Sequence, residues 1–86
     1  RMAYTAHRRI ARDPNESLTR RASSARSCAL HVAEKLRVRR SEVIAAVLGA
    51  TGVDLKQPQS GDAIVSAIEY LELLRMGGAP LPAKDI

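Results

Sequence analysis

Tryptophan and phenylalanine are missing from these 86 residues, and tyrosine occurs only at Tyr4 and Tyr70. Any core must therefore be built from Ala, Val, Leu and Ile, small side chains that suit closely packed helices better than a sheet. Cysteine is almost as scarce. Cys28 stands alone, so no disulfide forms within the chain, which favours a reducing compartment and a cytoplasmic location. On an apolar helix face such a cysteine reads as a small buried hydrophobe. No apolar run approaches the ~20 residues that a bilayer span needs, and no basic-apolar-small pattern marks a secretory signal. A membrane partner is not expected.

A glycine-rich loop is missing as well: Gly77-Gly78 follows a helical stretch instead of opening one, so no phosphate-cradling loop is present. His7 and His31 lie far apart with no ligand at metal-binding spacing. No nucleophile stands beside a base. These absences exclude the common enzyme classes, and neither a cofactor nor a metal is expected. "RRAS", Arg20 to Ser23, fits a basophilic kinase substrate pattern, but within a helix it reads as a surface coincidence.

What the chain has in excess is arginine, unevenly placed. From Arg1 to Arg40 eleven basic side chains stand against three acidic ones, a net of +8. From Ser41 to Ile86 three basic side chains stand against six acidic ones, a net of −3. A basic half joined to an acidic half suggests a polyanion-binding surface on one side of the domain. A chain this short buries only part of its unfolded surface, so a second copy or a partner is expected to stabilise it. It opens on Arg1 rather than Met, which suggests a piece of something longer.

The periodicity predicts an all-α fold, a compact bundle of three helices at about 14–37, 41–50 and 61–76. A basic arm, 1–12, precedes the helical domain, 13–77, and a flexible tail, 78–86, follows it. The arm has no clear period; His7 to Arg12 reads as a short strand or as a segment that orders on a partner. Asp13-Pro14-Asn15-Glu16 predicts a helix start, with Asp13 as N-cap and Pro14 in the first position. The stripe of the first helix is Leu18, Ala22, Ala25, Ala29, Val32 and Leu36, with Arg20, Ser24, Ser27 and His31 opposite it. Ser41 is expected to cap a second helix that is nearly apolar all round and hence buried, ended by Gly49 or Gly52. Thr51 to Ser60 reads as a loop. Ser60 caps a third helix with Ile64, Ala67, Ile68, Leu71 and Leu74 inward and Glu69 and Glu72 outside.

Ala33, Leu36, Val38 and Val43 fill the spacing A-x-x-L-x-V-x-x-x-x-V. This resembles the packing core of helix-turn-helix DNA-binding domains. "AEKL" and "SEVI" are also similar to the N-terminal domain of bacterial translation initiation factor two, and "SEVI" after a long helix to ribbon-helix-helix repressors. The chain departs from the helix-turn-helix pattern at Arg37, where Gly is usual because the turn favours a left-handed residue. Its second helix offers Glu42, Ala45 and Ala46 outward, with no Arg, Asn or Gln for base edges. The resemblance implies a DNA-binding domain in transcription regulation or an accessory role, and the small aromatic-free core favours a dimer.

The contacts are expected from Arg8, Arg9, Arg12, Arg20, Arg21, Arg26, Arg37, Arg39 and Arg40, acting mostly on phosphates, with the arm free to enter a minor groove. A helical protein-interaction module and an RNA- or ribosome-associated domain are the alternatives. The basic half has few aromatic rings to stack on single-stranded RNA.

Overall fold

The structure, a computed structural model, describes residues 2–81. Within them the chain forms four helices and no strand: α1 Tyr4–Arg12, α2 Leu18–Leu36, α3 Arg40–Thr51 and α4 Gly61–Arg75. The expected all-α class is therefore observed, with one helix more than the sequence suggested. The segment read as a basic arm is α1. Nine residues are too few to hold a helix alone in water, so α1 owes its form to docking. It packs on α2 and α4 through Tyr4 and Ala11, both buried. The Tyr4 hydroxyl donates to Glu72 Oε1 at 2.6 Å and Arg8 Nη1 donates to the same oxygen at 3.1 Å. Glu72, expected outside, thus faces α1.

The turn that follows was read as a helix start. Asp13 is instead the C-cap of α1, and its Oδ1 accepts from the Asn15 amide at 2.8 Å, an Asx turn that competes with helix initiation. Ser17 caps α2, its Oγ accepting from the Arg20 amide at 3.1 Å. Along α2, Ala22, Ala25, Ala29 and Val32 are buried as expected, while Leu18 stays exposed. Ser24, placed by the stripe on the wet side, is buried. Cys28 is fully buried.

The second helix starts one residue early. Arg39 is the N-cap of α3, with no side-chain cap bond, so Ser41 lies inside the helix. Gly52, at φ 75°, ends it. Val43, Ile44, Ala46 and Val47 are buried, but Ala45, Leu48, Gly49 and Ala50 face solvent. The helix is apolar all round yet only half covered.

Helix α4 follows the expectation closely. Ser60 caps α4 by accepting from the Ala63 amide at 3.1 Å, and Ile64, Ala67, Ile68, Leu71 and Leu74 are buried. The Gly77 amide donates to Leu74 O and the Gly78 amide to Leu73 O, with Gly77 left-handed at φ 76°. This paired reversal is a Schellman stop. Ala79 and Leu81 then pack against the core, so the first part of the expected tail is attached. Its remainder, 82–86, lies outside the described residues. The loop after α3 is also built in: Leu55 is fully buried and Val53 nearly so, and Arg26 Nη1 donates to Leu55 O at 2.9 Å. No helix among the described residues is long and apolar enough to cross a membrane.

Candidate nucleic-acid interface

The nine arginines expected to contact phosphate do not form one surface. Arg21 leaves it altogether. The side chain is buried, with Nε donating to Ala11 O at 2.9 Å and Nη2 to Gly61 O at 3.5 Å. It ties α1 and α4 to α2, and a Cβ on Gly61 would collide with its guanidinium. Arg8 and Arg26 are half-buried, engaged with Glu72 and with the Leu55 carbonyl. Among the nine, these three serve first as structural ties.

The other six are exposed and fall into two patches. The hydrogen bond from Arg21 to Ala11, at the C-terminal end of α1, pairs that end with the start of α2. The contact between His31 Nε2 and Met2 O, 3.1 Å, pairs the beginning of α1 with the far part of α2. Helices α1 and α2 are thus antiparallel. The first patch combines Arg9 and Arg12 with Arg20 near the α1–α2 turn. Arg9 and Arg12 line an open depression with Thr5, Arg8 and Asp13, and Arg20 pairs with Glu16 at 3.1 Å while remaining largely exposed.

The second patch sits where α2 passes into α3. The Arg37 amide donates to Glu34 O and the Val38 amide to Ala33 O. Arg37 is left-handed (φ 59°, ψ 44°), the one non-glycine residue with positive φ among the described residues. This geometry turns Val38 back against the core and leaves Arg37, Arg39 and Arg40 pointing to solvent around the start of α3. The N-terminus of a helix carries partial positive charge, and here no side chain caps it. Glu42 lies in the same first turn. Of the α3 residues expected to face outward, Ala45 does so, Glu42 is half-buried, and Ala46 is buried.

The acidic half shows a second electrostatic arrangement. Arg75 lies 4.3 Å above the Tyr4 ring. The hydrogen bond from Tyr4 and the guanidinium of Arg8 hold the Glu72 carboxylate below its ordinary pKa. Burial, reinforced by Glu72, drives the Tyr4 hydroxyl well above its usual value, and burial pushes the Cys28 thiol up to about 12. Both stay protonated at neutral pH, so Cys28 is no nucleophile here. No group of three His, Cys, Asp or Glu side chains suited to a metal ion occurs among the described residues. Sequence patterning missed the burial of Arg21. The one signal is Gly61 at the head of α4, forty residues away, whose missing side chain leaves room for a guanidinium.

No family model, no curated protein and no solved structure matches this chain.

Proposed function

We propose that this is a small DNA-binding domain, without catalytic activity of its own, that serves as a regulator or accessory factor and holds its target mainly by the phosphate backbone. One observation carries the reading: the α2–α3 turn places three exposed arginines, Arg37, Arg39 and Arg40, around a helix start that no side chain caps. Guanidinium groups and main-chain N–H groups at a helix N-terminus are the donors that take phosphate oxygens. The helix-turn-helix resemblance agrees with this placement. The departure at Arg37 is one of residue type only, since its backbone has the left-handed conformation that the turn favours. The outward face of α3 carries Ser41, Ala45 and Leu48 and lacks base-reading amides or guanidiniums beyond Arg40. Binding with weak sequence preference follows. The lone buried thiol fits a reducing cytoplasm.

The test is fluorescence anisotropy of a labelled random-sequence duplex at several salt concentrations. Log affinity is expected to fall with log salt by roughly 0.9 per neutralised phosphate. The double charge reversal Arg39→Glu and Arg40→Glu should weaken binding by about tenfold or more and flatten that slope. Unchanged affinity in the double variant sinks the assignment of this surface.

A second reading draws on Leu48, 47% exposed on α3 beside Ala45 and Gly49. That apolar strip suits a helical protein partner or a second copy of the chain. Sedimentation of the domain at micromolar concentration separates a dimer from a monomer.

A further inference from the structure

We infer that one B-form duplex engages both arginine patches at once, the long helix α2 acting as a rigid spacer between them. This rests on the DNA-binding reading above and adds the mode and the length of the target.

The spacing comes from helix geometry. Arg20 and Arg37 are separated by seventeen residue steps, about 26 Å at 1.5 Å per residue. The whole of α2, nineteen residues, is about 28 Å long. Arg20 lies in the first turn of α2 and Arg37 is its C-cap, so the two patches sit at opposite ends of that helix. Phosphates along one DNA strand advance about 3.4 Å per residue. A separation of about 26 Å then corresponds to about eight base pairs, less than one helical turn.

The surface between the patches permits this approach. The strip of α2 that joins them carries Ser23, Leu30 and Glu34, all exposed, and half-buried Ser27, and Glu34 is the only carboxylate that α2 contains. The same structure disfavours a single strand. Tyr4, the one tyrosine of the basic half, is buried and bonded to Glu72, so no tyrosine there can stack an unpaired base. An acidic protein would need two carboxylate clusters at one fixed distance, whereas a duplex carries phosphates at every step and meets both patches in any register.

Two weak patches on a rigid spacer gain strongly when one ligand reaches both, because the second contact becomes intramolecular. The experiment titrates labelled DNA hairpins with stems of about 5 and about 16 base pairs, too short and long enough to span both patches. The proteins are the whole chain and two paired variants, Arg9→Gln with Arg12→Gln and Arg39→Gln with Arg40→Gln. All of these side chains are exposed, and circular dichroism checks that the variants fold. After correction for the number of registers on the longer stem, the unaltered chain should prefer it by about tenfold or more. Each paired variant should lose that preference, and its salt slope should fall by about 1.8. A chain that binds the long stem without preference, or a variant that keeps it, overturns the bridging mode and leaves DNA binding standing. Equal preference for a single strand of the same length overturns the duplex assignment. Absence of salt-sensitive binding to every probe removes the DNA-binding reading as well.

Discussion

At the scale of single residues, two arginines of one sequence type have opposite fates. Arg21 is spent inside the fold on the carbonyls of Ala11 and Gly61. Replacing it by Ala leaves a buried carbonyl without its donor, at a cost of about 1–3 kcal/mol. Thermal or urea unfolding of Arg21→Ala is expected to register that loss. The salt slope of the proposed DNA binding should stay as it is, because the side chain is buried. Arg37 predicts the reverse. Its left-handed backbone costs a side-chain-bearing residue about 1 kcal/mol relative to glycine. Arg37→Gly should raise the unfolding midpoint and at the same time weaken the proposed DNA binding, a split that a purely structural role cannot produce. Nothing in the local sequence separates these two residues, since each is an arginine amid polar and apolar neighbours. What separates them is whether a carbonyl from another helix comes within reach.

At the scale of elements, α4 and the body of α2 could be read from spacing alone. Their apolar residues recur at three and four positions, Ser60 stands in capping position, and Gly77 supplies the left-handed stop. Helix α1 could not be read this way. Its nine residues hold four charged or imidazole side chains among few strong apolar ones, and the groups that fix it, Glu72 and Arg75, lie more than sixty residues away in sequence. Similarly, Asp13-Pro14 satisfies the rules for a helix start, but the Asx turn of Asp13 with Asn15 shifts the start to Leu18.

The docking of α1 has a pH signature. Because Tyr4 and Arg8 depress the Glu72 pKa in the folded state, the stabilisation is complete above the ordinary carboxylate value of about 4.3. It is lost as pH falls through the lower folded value. Protection factors of the α1 amides, which remove the intrinsic slowing of exchange in acid, should therefore fall below about pH 4. In Glu72→Gln the pH-dependent part of that fall should be absent, and an unchanged acid profile would remove Glu72 from the docking of α1.

For the whole molecule, the helical class, the burial of Cys28, the inner stripe of α4 and the unequal charge of the two halves were legible along the chain alone. These follow from composition and from spacing within one element, where each residue's neighbours are set by helix periodicity. Tertiary packing alone made the basic arm a docked helix. It also decided that Leu55 closes the core from a loop, that three of nine arginines are internal ties, and that the remaining six divide into two patches. Those outcomes depend on which surfaces meet. A guanidinium faces water or a carbonyl according to the helix that packs over it, and the separation of two charge clusters is set by the length and direction of α2. Neither quantity is encoded within reach of a single turn, so charge was legible along the chain while its arrangement in space was not.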